Sequence, residues 1–421
     1  MNIVERFISY TKINTTTDRE KGAAGIMPSS EGQRVLAKQL VQELEALGVE
    51  DIKLRDTAIV TATLPSNLDY DVPTVAFFGH LDTSAEQTND TKAQILPYTG
   101  EDLCMNKELN IYLRKSEFPE LVNYIGDDII VTDGTSLLGA DDKAAIASIM
   151  DMLQYFKQNP EIKHGTIKIG FVPDEEQGLR GAKVFDVKEF GADFAYTLDC
   201  CGIGELVYEN WNAGDAEIIF TGKSAHPMSA KGKLVNSLLM AQKFITMLPG
   251  GEAPEYTDGR EGYYWVKQMS GNSARTVLKM DVRDFTEDGY RKRMAFLKQL
   301  AESCESLWGS ESVVCKLSDR YSNVYNSLQG DNRYPIDIAV DAYQACGITP
   351  KVIPMRGGYD GAALSQNGLP CPNIFTGAHN FHSIYEYLPV KSLHAASDVL
   401  KQVVQITAER FKPGAKAWSQ F

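Results

Sequence analysis

The chain has 421 residues, 43% of them hydrophobic, which is more than one core of roughly 250 to 300 residues usually absorbs, so two domains are expected. A formal net charge of -14 argues against a nucleic-acid partner, because phosphate binding needs clustered lysine and arginine. Seven cysteines without a CxxC pair, an opening MNIVERFISYTKINT without an apolar signal region, and the lack of a long apolar run predict a reduced, cytoplasmic protein that does not span a membrane.

In chain order, the first clear helix is predicted over about 33–47, with Leu36, Leu40, Leu44 and Leu47 on one stripe and a stop at Gly48. Strands follow at 58–64 and 74–78. The second runs into GHLDTS (Gly79 to Ser84). His80 and Asp82 are two residues apart, so on a continuing strand they point to the same side, where they can touch one metal or each other. The carboxyl end of a buried strand is also where open α/β sheets bind ligands. Residues 85–126 are polar and predict irregular structure with a short strand.

A strand at 129–132 leads to GADDKA, where Asp142 stands at the start of a helix with Ile146, Ile149, Met150, Leu153 and Phe156 on its buried stripe. A helix-capping role, worth about 1 kcal/mol, accounts for one aspartate but not for Asp141 and Asp142 together. The strand 166–172 runs into PDEEQG, and the strand FAYTLD ends at Asp199 before Cys200 and Cys201. Carboxylates thus recur at strand ends, where an unpaired buried charge would be expensive.

The rhythm changes after Trp211. Strands at 216–220, 276–285 and 312–317 with helices at 234–248 and 289–307 fit a small α/β sandwich of strand, helix, strand, strand, helix and strand. On the strand 276–285, Leu278, Met280 and Val282 share the buried face, and Arg283 lies opposite, either solvated or facing a neighbouring domain. From about Asn326 the first rhythm resumes, with a helix over 336–346, strands at 351–354 and 370–377, and a last helix over 393–408. The expected organisation is a catalytic α/β/α domain in two segments, 1–212 and 327–421, around an inserted domain, 213–326.

His80, Asp142, Glu175, Glu176, Asp199 and His382 supply nitrogen and carboxylate ligands without thiolate, which suits two Zn²⁺ ions, with Co²⁺ or Mn²⁺ as substitutes. Two ions about 3.5 to 4 Å apart need a bridging carboxylate, and Asp142, short and fixed at a helix start, is the expected bridge. His80 and Asp199 then serve one ion, Glu176 and His382 the other. Glu175 is left free as general base, and Asp82 is placed to fix the tautomer of His80.

GHLDTS, GADDKA, PDEEQG, the TLD strand end, SAHPMSAKGK, DVRDF, RGGYDGAALS, GLPCPNIFTG and NFHSIYEY occur in this order over nearly the whole chain. Together they resemble the M20 family of co-catalytic zinc peptidases. The resemblance implies an aminopeptidase acting on tripeptides, with a carboxypeptidase, dipeptidase or N-acyl amino acid deacylase of the same family as alternatives. It implies two zinc ions per subunit on His80, Asp142, Glu176, Asp199 and His382, with Asp82 and Glu175 as catalytic residues. It also implies substrate contacts from His226, Arg283, Arg356 and Asn380, small peptides as partners, and a monomer or homodimer. His379 competes with His382 as a ligand, and the motif favours His382. Cys200, Cys201 and Tyr359 depart from the family pattern; Tyr359 is expected to alter a pocket wall.

Overall fold

Val75–His80 is buried along its whole length, and an eight-stranded sheet is built around it. The computed structural model describes residues 1–87 and 90–415. From edge to edge the sheet runs Glu50–Leu54, Val60–Leu64, Ile167–Val172, Val75–His80, Phe194–Cys200, Asn373–Phe375, Glu205–Glu209 and Lys351–Pro354. Val75–His80 is parallel to both of its neighbours, with His80 opposite Val172, and Asn373–Phe375 is parallel to Phe194–Cys200, with Phe375 opposite Cys200. Four adjacent strands therefore end on one side of the sheet. The carboxylates and histidines that follow them in sequence are delivered there by register alone.

The helix Ala140–Gln158 packs on this sheet and is buried nearly all round, not along a stripe, because alanines 144, 145 and 147 let it lie close. Gly79 is part of that approach: a Cβ there would come 3.2 Å from Asp142 Oδ2 and 3.3 Å from Ile146 Cγ1. Glu31–Leu47 carries the predicted buried leucines 36, 40 and 44, and Gly48 ends it in the left-handed conformation at φ 69°. Two strands of the eight-stranded sheet have no counterpart in the sequence reading, Glu50–Leu54 and Glu205–Glu209. Glu50–Leu54 is a polar, mostly exposed edge and so lacks the apolar alternation that marks a strand.

Residues 90–131 hold more structure than their polarity suggests. Gln94–Pro97 joins Asp128–Val131 and Leu388–Pro389 in a three-stranded sheet, and Leu103–Asn106 pairs with Ile111–Leu113. Tyr98, Leu103, Met105, Leu113, Leu121, Ile129, Val131 and Tyr387 form their own buried cluster.

Met1–Tyr208, Ser327–Ile353 and Tyr359–Phe421 make the larger of two units; Glu209–Asn326 and Pro354–Gly358 make the smaller. The smaller unit thus begins at Glu209, not at 213, and takes in five residues, 354–358, that the sequence reading assigned to the catalytic domain. It is an antiparallel sheet in the order Tyr263–Gly271, Arg275–Asp284, Asn212–Thr221, Val313–Tyr321, with Ser237–Thr246 and Glu287–Trp308 packed on it. Ile218, Phe220, Phe244, Leu278, Val282 and Leu297 are fully buried in its core. The strand Tyr263–Gly271 supplies the fourth strand that the strand and helix pattern requires.

Candidate metal centre

Among the described residues, two groups of ligand-type atoms lie in the larger unit at the ends of its parallel strands. His80, Asp141 and Asp199 form one, Asp141, Glu176 and His382 the other, and within each the candidate atoms lie within 4.8 Å of one another. Asp141 belongs to both. Its Oδ1 is 2.8 Å from His80 Nε2 and its Oδ2 is 3.1 Å from His382 Nε2.

The shared carboxylate is therefore that of Asp141, in the position expected of Asp142. The cause is local. Gly139 is left-handed at φ 77°, and Asp141 and Asp142 both have non-helical backbone angles, so the regular helix starts only after them and their side chains diverge. Asp142 turns back to the strand, where its Oδ2 accepts the N–H of His80 at 3.0 Å. In either residue the helix-cap explanation fails, because the Asp141 carboxylate faces the two histidines and that of Asp142 takes the His80 N–H.

Asp82 has two attachments. The Nδ1 of His80 is 3.0 Å from the main-chain oxygen of Asp82 and 3.4 Å from its Oδ1, so the ring orientation is fixed mainly by the carbonyl. The carboxylate accepts the N–H of Glu175 at 2.9 Å and of Glu176 at 3.2 Å. It thereby holds the turn that carries both glutamates. Glu175 belongs to neither ligand group and is half-buried beside them.

The electrostatics are those of a site short of positive charge. Burial pushes the carboxyls of Asp142, Glu175 and Asp199 well above the usual range, with Asp199 adding to the first two and Asp141 to the last. Burial likewise raises Glu176. Hydrogen bonds to Asp141 and Glu176 push His382 up to about 11. Burial opposes charge on His80, but its bonds to Asp141 and Asp82 carry it well above its ordinary value. Burial also opposes charge on Asp141, which its bonds from His382 and His80 keep ionised.

The residues fit a pair of divalent cations. Oδ1 of Asp142 and Oδ1 of Asp360 are buried without a hydrogen-bond partner, and a bound cation is one way to satisfy such orphaned oxygens. An imidazole and carboxylate set without thiolate suits zinc, manganese or cobalt.

The remaining expected residues divide by location. Asn380, in the larger unit, is left-handed at φ 59° and donates from Nδ2 to the Tyr385 carbonyl at 3.0 Å. His226, Arg283 and Arg356 belong to the smaller unit. His226 is exposed, with Nδ1 accepting the Met228 N–H. Arg283 does not present a free fork: it is 5% exposed and donates to the Gly214 and Val282 carbonyls and to Asp281. Burial of a guanidinium requires such pairing. Arg356 lies over the Trp211 ring at 4.9 Å and donates to the Gly259 carbonyl and Thr257 Oγ1.

His379 is turned away from both ligand groups, stacked on Tyr387 with Nε2 2.6 Å from the Tyr124 hydroxyl. Cys200 and Cys201 are in neither group, and burial pushes the Cys201 thiol up to about 12. Tyr359 is fully buried with its hydroxyl on the Cys371 carbonyl, so it packs inside and forms no pocket wall. Asp360 and Glu386, both buried, were missed in the sequence although each lies within a recognisable motif, RGGYDGAALS and NFHSIYEY. Single carboxylates there give no doublet to notice.

A larger α/β unit with a smaller sheet-rich one, and two histidine and carboxylate groups sharing an aspartate at the strand ends, describe a metal-dependent hydrolase. The chain belongs to peptidase family M20/M25/M40, whose profile matches residues 138–406; that of peptidase family M28 matches residues 60–208. Among curated proteins it is similar to Peptidase T of Geobacillus sp. strain WCH70, 43% identical over 410 residues, which are 97% of this chain and 99% of that one. It is also 43% identical to Peptidase T of Clostridium botulinum over 411 residues, 97% of this chain and all of that one (100%). Among solved structures, an aminopeptidase from Bacillus cereus superposes with a TM-score of 0.76 at 23% identity, covering 97% of this chain and 98% of that one. A tripeptidase from Staphylococcus aureus gives 0.75 at 21%, with the same coverage, 97% and 98%. At these identities the structural matches establish the fold. Membership makes the chain a hydrolase of peptides. No helix among the described residues is long and apolar enough to cross a membrane.

Proposed function

We propose that the chain is a dizinc aminopeptidase that removes the N-terminal residue of tripeptides. The observation that carries this reading is the position of Asp141, common to two ligand groups, beside a glutamate, Glu175, that belongs to neither. The names of its relatives, Peptidase T, aminopeptidase and tripeptidase, support the substrate class. All seven cysteines are unpaired, which supports the reducing, cytoplasmic setting expected from the sequence.

His80 and Asp199 would hold one ion and Glu176 and His382 the other, with Asp141 shared. When bound, such ions lower the pKa of water and polarise a carbonyl oxygen. The chain's own groups do the rest. Asp82 holds the main-chain N–H groups of Glu175 and Glu176, so the base and a ligand move as one. Glu175 takes the proton of the attacking water and passes it to the leaving amine, and its raised pKa brings its proton affinity closer to the working pH. Asn380, His226, Arg283 and Arg356 stay as proposed substrate contacts. Of the two arginines, Arg356 is the one with partial exposure.

The test is a panel of matched di-, tri- and tetrapeptides, free and N-acetylated, on zinc-loaded protein. Free tripeptides should be cleaved fastest, with release of the first residue. Equal turnover of the acetylated tripeptide would instead identify a deacylase or carboxypeptidase of the same family.

A further inference from the structure

Glu386 lies outside both ligand groups, yet it is 0% exposed and both of its carboxylate oxygens are used. Oε2 accepts the N–H of Gly139 at 2.7 Å and Oε1 accepts the N–H of Asp141 at 3.0 Å. Among the described residues no cation pairs with it directly: the nearby Lys143 donates its Nζ to the Ile13 carbonyl at 2.9 Å. A carboxyl group buried at this depth is tolerated only where its oxygens find donors, and here main-chain amides of the loop bearing the shared aspartate supply them.

Glu386 is also four residues beyond His382, on a loop closed by its own N–H to the Ser383 carbonyl at 3.0 Å. One side chain therefore ties together two loops that are 245 residues apart in sequence. The first presents Asp141 and the second presents His382. Gly139 is left-handed at φ 77°, which aims its N–H and that of Asp141 at the same carboxylate.

We infer that Glu386 is a positioning residue for the dinuclear site, setting the distance between the Asp141 and His382 ligand atoms through the main chain. The inference rests on the metal-centre reading above. Only a carboxylate at this reach accepts both amides, since glutamine offers one acceptor oxygen and turns an NH₂ toward the other amide, and aspartate is a bond too short. Groups that orient metal ligands typically contribute about ten to a hundredfold in metal affinity.

The test compares the wild-type chain with Glu386→Gln, both stripped of metal, titrated with Zn²⁺ against a chromophoric chelator, with thermal melts of the metal-free forms alongside. The wild type should take up two ions. E386Q should bind at least one of them about ten to a hundredfold more weakly while its metal-free melt is unchanged, a pattern that general loss of packing does not give. Equal affinities in the two proteins would overturn the inference and leave the metal centre standing. A wild type that binds no zinc would remove the metal centre itself. Should E386Q fail to fold, hydrogen exchange on the metal-free wild type decides: the Gly139 and Asp141 amides should be protected, and free exchange of both in the folded chain would overturn the inference.

Discussion

Glu175 has its main-chain N–H fixed by Asp82 at 2.9 Å and its side chain among Asp199, Asp360 and Glu176, which with burial keep its carboxyl well above the usual range. A carboxylate raised in this way is a better base than an exposed one. Replacing it with glutamine keeps the shape and removes the proton acceptor. Glu175→Gln should lower kcat by about 10²- to 10⁴-fold with two metal ions still bound, measured by steady-state kinetics beside metal analysis; turnover near wild type would refute its role as base. At this scale the sequence revealed residue types better than residue numbers. The doublet Asp141-Asp142 was visible, but which of the two faces the histidines depends on backbone angles at positions 139 to 142. Periodicity carries no such information.

The turn after Ile167–Val172 shows how an element is held for chemistry. Asp174 is left-handed at φ 57° and fully buried. Its carboxylate accepts the N–H of Ser29 at 3.0 Å, Ser29 Oγ at 2.6 Å, Gln33 Nε2 at 2.8 Å and Arg180 Nη1 at 2.8 Å. Its own N–H donates to Gln33 Oε1 at 3.1 Å. With Asp82 bonded to the next two amides, the glutamate turn is gripped from both sides. Asp174→Ala leaves several buried donors unpaired and should cost about 3 kcal/mol, seen as a lower urea midpoint of the metal-free chain, and should lower kcat as the turn loosens. An unchanged midpoint would contradict this account. Ser29 and Gln33 could not be linked to Asp174 from sequence, since the partners lie 145 and 141 residues away. Strand ends with carboxylates were readable because their signal is local.

For the molecule as a whole, metal binding and protonation are opposed. In the metal-free chain His382 is pushed up to about 11 and His80 well above its ordinary value, so both rings carry protons at neutral pH. Ligation needs neutral rings, so uptake must expel those protons, and apparent affinity rises with pH. Calorimetric zinc titrations in two buffers of different ionisation heat should report more than one proton released per chain at pH 7; no buffer dependence would contradict the assigned ligands. The division into a strand-rich insertion and a larger α/β unit was readable from the change of rhythm after Trp211. The polar strands Glu50–Leu54 and Glu205–Glu209 were not, because tertiary pairing makes them strands.

Five residues, Pro354–Gly358, belong to the smaller unit although they follow the return of the chain to the larger one. Within them Arg356 rests over Trp211 and Tyr263 at 4.9 and 5.6 Å and donates to Gly259 and Thr257. The smaller unit is therefore not a cassette. Cutting out Glu209–Asn326 and joining the ends would strand Arg356 without the rings and oxygens that hold it, and transplanting that segment into another protein would leave Trp211 without its cation. Exchange of such units between relatives, by evolution or by design, has to move two pieces of sequence together.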